Sequence, residues 1–466
     1  MFKSKPRGHY MFGKRKPKPR RNWTWLWLLV SAVLSLLVLE LLTRIYIDLS
    51  GKREEFAQAI SEPDIAESYQ LKFLDQKGNL LEGISNTGSL IAQQRLSVGY
   101  QLVKNQENAY WQINEQGFRD RDALPITKPE DEIRIFILGG STAFGYGSTS
   151  NETAIAEQLE ARLQQRLQQQ QQTPQLYKPD VLPEDPELRA EALQRTSKLK
   201  SGKYRVINAA VPGYASGNQL AQLALQVLPY QPDLVIVLDG YEDLILSGEE
   251  TAAQVPQFNE KFDTRSDYVK VSTNKLLQPL EDKSYLVKVL QDTVLQVEVP
   301  ESKTDLLLNT NGQQLALSFP DDPEELQRRV DRYFQNHKQM VTLSTGSGAS
   351  VIFATQPEIT GRKPSKLTPT EGEITTQLGR TYIKRVKDTY PRFVGVNNYL
   401  VKIFPKNVKA LNLYNMSDKY PSPSFIDAIH LTEPANEMVA EQLYYAIASF
   451  SKMQVVPRQP EKIEEN

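Results

Sequence analysis

Ser141, Asp427 and His430 are the residues of this chain whose types and surroundings suit nucleophilic chemistry. Ser141 sits in Gly139-Gly140-Ser141-Thr142-Ala143-Phe144-Gly145, directly after the apolar run Ile135-Phe136-Ile137-Leu138 and before a helical stretch. Glycines there let the backbone turn tightly, and a serine amide near a helix start can donate to a developing oxyanion. Such a turn also suits a plain loop or a phosphate cradle. No Gly-Lys-Ser/Thr follows it, no Gly-x-Gly-x-x-Gly is present, and Ala143 fills the last position of a Gly-x-Ser-x-Gly elbow. A serine hydroxyl is a poor nucleophile until a base takes its proton, and the chain has 3 histidines to offer. His9 lies in a basic tail, and His337 lies on the apolar face of a predicted core helix, where a structural role is expected. His430 is left as the base, with Asp427 three residues earlier in Asp427-Ala428-Ile429-His430. A carboxylate there can hold the second ring nitrogen in the correct tautomer and stabilise the imidazolium.

These residues need a scaffold, and the pattern around them supplies one. Short, nearly continuous apolar runs at Arg134–Leu138, Arg205–Asn208, Leu234–Leu238, Ser350–Ala354 and Val408–Leu413 read as strands buried on both faces. Helices are expected over Glu152–Gln170, Asn218–Val227 and Pro434–Phe450. A further helix is expected from Pro323, capped by Asp322, with Leu326, Val330, Phe334, His337 and Val341 on one face. Alternating units of this kind predict an α/β fold with a doubly wound parallel sheet, whose ligands sit at the carboxyl ends of the strands beside the switch in strand order.

At 466 residues the chain has length for one main domain with elaborations. A formal net charge of −1 supplies no electrostatic reason to expect nucleic acid, and the absence of cysteine excludes disulfides and thiolate chemistry. No cofactor is implied, and no ligand cluster has metal-like spacing. From Lys3 to Arg21 there are nine basic residues and no acid, and Trp23–Leu39 carries no charge before Glu40. The apolar run is too long for a signal-peptide core, and no small-x-small site precedes Arg44. The expected organisation is a basic cytoplasmic tail over 1–22, a transmembrane helix over 23–47 with Trp23, Trp25 and Trp27 at the interface, and an extracytoplasmic remainder. That remainder divides into a β-rich stalk or cap over 48–130, a main domain over 131–450, and a polar tail over 451–466. The main domain carries insertions at about 168–202, a flexible glutamine- and proline-rich excursion, and at about 245–320, a lid or platform. Trp111–Asp120 reads as a hairpin edge packed on the main domain, with a substrate role for Arg119 as the minor alternative.

With the serine turn and Asp427-x-x-His430 in place, residues from about 130 to 450 resemble the SGNH hydrolases, a subset of the GDSL esterases and lipases, with the blocks in the family's order. Gly139-Gly140-Ser141-Thr142 matches the first block with glycine and threonine in place of aspartate and leucine. Asn208-Ala209-Ala210-Val211-Pro212-Gly213-Tyr214 is similar to the second, which implies that the Gly213 amide serves the oxyanion hole. Asp427 and His430 match the last block in full. Membrane-anchored envelope members look most like this chain, partly through the shared Gly-Phe-Arg-Asp stretch at Gly117–Asp120.

The third block departs from the family. Where Gly-x-Asn-Asp is expected, the chain has Gly240-Tyr241-Glu242-Asp243, so Glu242 replaces an oxyanion asparagine. A carboxylate has no proton to give and repels the charge, and losing one oxyanion donor costs about 10²–10³ in rate. Three rescues stand open: the two backbone amides alone, a protonated Glu242, or Asn208 or Asn218 swung into the hole. The resemblance implies an SGNH-type, flavodoxin-like three-layer sandwich. It also implies an extracytoplasmic serine hydrolase that cleaves or transfers ester-linked acyl groups on a cell-envelope glycan or lipid. The alternative is a catalytically impaired SGNH-like module that binds or scaffolds envelope carbohydrate.

Overall fold

The computed structural model describes residues 24–49, 65–81, 88–247, 312–420 and 423–460. The larger part of the expected insertion at 245–320 and the basic tail lie outside the described residues. Two compact units are present. One holds the N-terminal helix α1 (Thr24–Leu49) and the other holds the site. Helix α1 has 26 residues, and its described apolar side chains, such as Leu34 and Leu37, are exposed. Among the described residues no helix is long and apolar enough to cross a membrane. The expected transmembrane helix over 23–47 is therefore met only as far as helix formation.

The second unit begins with the short helix α2 (Ile65–Tyr69) and strands β1 (Leu71–Leu74), β2 (Leu90–Arg95) and β3 (Gly99–Leu102). They form a small sheet in that order, β1 parallel and β3 antiparallel to β2. A two-residue pairing of β4 (Gln106–Glu107) with β5 (Gln112–Ile113) follows. The alternating burial of β1 and β2 puts Leu71, Phe73, Leu90 and Ala92 inward, as a one-sided sheet requires.

Next come β6 (Glu132–Gly139), α3 (Ser141–Phe144), α4 (Ile155–Gln172), α5 (Pro186–Gln194), β7 (Lys203–Asn208), α6 (Ser216–Gln222), β8 (Leu234–Asp239) and α7 (Tyr241–Ile245). After the break come α8 (Gly312–Ser318), α9 (Pro323–Gly346), β9 (Ser350–Thr355), α10 (Pro369–Ile403), β10 (Val408–Asn412) and α11 (Glu433–Ala448). The central sheet is all parallel in the order β10-β9-β8-β6-β7. From β6 the chain steps outward to β7; from β7 it crosses back to β8 and continues to β9 and β10. Right-handed crossovers then place α4 on one face and α6, α9 and α10 on the other. Packing agrees: α4 lies against β7 and α11, while α9 lies against α6, α10 and β9. Every residue of β8 and β9 is buried, as two covered faces demand.

The expected strands all form, and the helix from Pro323 forms with the Asp322 carboxylate capping Glu324 N–H at 3.0 Å. Helix α10 has no counterpart in the sequence reading. The 35-residue segment contains Pro391 and is helical on both sides of a kink at Gly379 (φ 76°). A second correction concerns the excursion at 168–202, expected to be flexible. Its glutamine run extends α4, the Gln170 side chain pairs with both backbone groups of Leu199, and Leu199 and Val181 bridge to Gln454 and Arg458 of the tail.

Candidate active site

Adjacent strands β6 and β8 send the chain off in opposite directions, which opens a crevice beyond their carboxyl ends. Gly139 stands in register with Leu238, so Ser141 and Glu242 emerge side by side. Backbones approach closely at this turn. A Cβ on Gly139 would lie 2.2 Å from the Leu238 carbonyl oxygen, and one on Gly140 would lie 1.8 Å from Oε1 of Glu242. Glycine is required at 139, where the clash is with backbone, whereas a side chain at 140 would have to displace the Glu242 carboxyl.

Ser141 is the first residue of α3, with Gly140 as its extended N-cap, so its amide has no partner within the helix. The loop before α11 brings the base. Ser141 Oγ lies 2.7 Å from Nε2 of His430, and His430 Nδ1 lies 2.5 Å from Oδ2 of Asp427. With the Nδ1 proton held by the carboxylate, Nε2 is left as the acceptor for the serine hydroxyl. Asp427 is itself fixed by the amides of Ile429 (2.9 Å) and His430 (2.7 Å), both on Oδ1. Burial works to raise the Asp427 carboxyl, but the charge and hydrogen bond of His430 and the two amides outweigh it and hold the group below its ordinary range. Ser141 is 1% exposed and His430 0%, while the Asp427 side chain keeps 16%.

Several supports were not singled out from the sequence. Tyr146 stacks on the His430 ring at 4.1 Å between centroids, and its position five residues after Ser141 is the signal that was there to be used. Thr142 donates to the Ile429 carbonyl at 3.2 Å, tying the nucleophile turn to the histidine loop. Arg119, expected as packing at a hairpin edge, is buried. It donates to Phe144 O and Gly145 O, both at 2.9 Å, and to Tyr110 O, Ser150 O, Asn151 Oδ1 and the Tyr69 hydroxyl. The backbone just after the nucleophile is thereby held from outside the domain's own sheet.

The expected oxyanion groups fall unevenly. Gly213 occupies a left-handed turn (φ 81°) after β7, and Val211, two residues earlier, donates to the Gly139 carbonyl at 3.1 Å, so this turn is laced to the nucleophile turn. Asn208 and Asn218 are not available to swing in. Asn208 Nδ2 donates to Phe144 O at 3.1 Å, and Asn218 Nδ2 donates to Val98 O at 3.0 Å, each with its oxygen occupied by a local amide. Glu242 is 3% exposed, and neither carboxyl oxygen has a hydrogen-bond partner of good geometry. Burial pushes this carboxyl up to about 8, although its own amide favours the charged form; Asp239 and Asp243 push the same way as burial, and the Ser141 amide opposes them.

His337 is satisfied within the core: Nε2 is 3.0 Å from Oδ2 of Asp239, Nδ1 is 3.1 Å from Oδ1 of Asn397, and the ring stacks on Phe353. Among the described residues no group of three or more His, Asp or Glu is placed to hold a metal ion.

A scan against protein-family models gives no match, and a search of curated proteins gives none either. Solved structures do match. A lipase/acylhydrolase from Enterococcus faecalis is 14% identical, with a TM-score of 0.32, covering 70% of this chain and 100% of that one. A GDSL-like lipase from Bacteroides thetaiotaomicron is 11% identical, with a TM-score of 0.28, covering 70% and 90%. An acetylxylan esterase from Geobacillus stearothermophilus, solved as a catalytic mutant, is 12% identical, with a TM-score of 0.29, covering 69% and 96%.

Proposed function

We propose that this chain is an SGNH-type serine hydrolase that cleaves, or transfers to another hydroxyl, an ester-linked acyl group through an acyl-Ser141 intermediate. The observation that carries this reading is the unbroken hydrogen-bond chain from Ser141 Oγ through His430 to Asp427 at the switch point of the sheet. In the acylation step Ser141 Oγ bonds to the ester carbonyl carbon as its proton passes to His430 Nε2. Collapse expels the alcohol, which takes that proton. Water or an acceptor hydroxyl then repeats the sequence on the acyl-serine. His430 and Asp427 supply base and orientation, and the Ser141 amide supplies one oxyanion donor.

The same reading places the catalytic unit at the outer face of a membrane, held by α1, with the acyl ester on an envelope glycan or lipid. Nine basic residues before the apolar run and mixed charge after it support that orientation.

Fluorophosphonate labelling of the full-length chain tests the chemistry. Labelling that Ser141→Ala removes is expected. A folded wild-type protein that never labels would sink the hydrolase and favour the second reading, a carbohydrate-binding module.

A further inference from the structure

Glu242 is a buried carboxyl whose two oxygens lack a hydrogen-bond partner of good geometry, placed against the backbone of the nucleophile turn. Its oxygen lies over Gly140, close enough that a methyl group there would collide with it, and the Ser141 amide faces the same carboxyl. Both asparagines that stood as substitutes are committed to backbone carbonyls elsewhere. A protonated carboxyl in this position has a proton and, among the described residues, no acceptor for it. A tetrahedral oxyanion formed on Ser141 would be such an acceptor.

We propose that Glu242 is held as a neutral carboxylic acid and serves, beside the Ser141 amide, as the side-chain donor of the oxyanion hole, so that its ionisation turns the site off at alkaline pH. This rests on the acyl-Ser141 reading. As Ser141 Oγ adds to the carbonyl carbon and His430 takes the serine proton, the carbonyl oxygen gains the negative charge and accepts from Ser141 N–H and Glu242 O–H. When the intermediate collapses the carbonyl reforms and both donors keep their protons. A buried carboxylic acid kept neutral for oxyanion donation has a physical precedent in an apolar site.

The surroundings of Glu242 favour the proton. Asp239 at the end of β8 and Asp243 on its own helix face it with negative charge. Arg332 of α9 lies 3.6 Å from Asp243, partly offsetting that carboxylate. Tyr100 of β3, Tyr241 beside it on α7 and Tyr390 of α10 face it as neutral hydroxyls, each held far from ionisation by burial. Its own amide and that of Ser141 favour the anion, and burial outweighs them.

The test is the pH profile of fluorophosphonate labelling of Ser141 in the full-length chain, beside Glu242→Gln and Glu242→Ala. The wild-type rate is expected to fall about tenfold per pH unit above about 8. Glu242→Gln, which donates but cannot ionise, labels more slowly at neutral pH yet loses that alkaline fall. Glu242→Ala loses about 10²–10³ in rate. An unchanged alkaline fall in Glu242→Gln, or labelling of Glu242→Ala as fast as wild type, overturns the proposal and leaves the hydrolase standing. Absence of Ser141 labelling in every folded variant overturns both. Infrared difference spectra of wild type against Glu242→Gln read the proton directly: a protonated carboxyl band is expected at pH 6 and its absence refutes the neutral acid whatever the labelling shows.

Discussion

Single atoms decide the chemistry here. The tautomer of His430 depends on Asp427, which already receives two backbone amides and cannot turn away without losing them. Asp427→Asn keeps the shape but offers the ring a donor where it needs an acceptor, and is expected to lower kcat by about 10⁴-fold with little change in fold; steady-state kinetics with a chromogenic ester checks it. Glu242 makes a second prediction, about stability. Its folded pKa of about 8 lies above the ordinary carboxylate value, so the folded state binds more protons than the unfolded one across the interval between them. Stability therefore falls as pH rises from about 5 to 8, by a total on the order of 4 kcal/mol if the unfolded group titrates normally. Glu242→Gln removes this contribution and should melt higher than wild type at pH 8 but not at pH 4. Equal shifts at both values would sink the assignment.

At the scale of elements, the site is a meeting of two strand ends and one loop. Gly140 and Glu242 belong to neighbouring strand exits, and their close approach means that a side chain at 140 would displace the carboxyl. Gly140→Ala should abolish labelling in wild type by displacing the carboxyl. In a Glu242→Ala background the extra cost should nearly vanish, which a double-mutant cycle measures. Arg119 belongs to this scale as well, since its guanidinium joins the N-terminal region to the carbonyls behind α3. Arg119→Lys keeps the charge but cannot span six acceptors, leaving buried carbonyls unpaired at about 1–3 kcal/mol each. A fall in melting temperature together with a lower kcat, at nearly unchanged KM, is expected.

For the whole molecule, the proposal that the site lies at the outer face of a membrane can be tested directly. The chain has no cysteine, so a single introduced thiol reports without background. In intact cells Ser89→Cys should react with a membrane-impermeant maleimide after mild denaturation of the exterior, whereas Ser4→Cys should react only after lysis. The reverse pattern would remove the envelope from the proposal and leave the triad untouched. Deleting residues 1–49 should move the protein from the membrane fraction to the soluble one.

Local pattern determined a good deal. Continuous apolar runs bounded by turns marked all five central strands, because a strand covered on both faces has no polar side to show. The scarcity of histidine singled out His430, and the short spacing to Asp427 made a pair that lies within a single loop. Other features depended on groups far apart in the chain. Helix α10 was missed because Gly379 and Pro391 are local breakers, and its amphipathic face is stabilised by packing that only the sheet supplies. Asn208 and Asn218 were open candidates until folding brought Phe144 and Val98 to their amides. Glu242 shows the division most clearly: its sequence position said that a carboxyl stands near the oxyanion, but its proton is decided by burial and by Asp239, Asp243 and Ser141. Desolvation is a property of the assembled surroundings, and no stretch of sequence contains it.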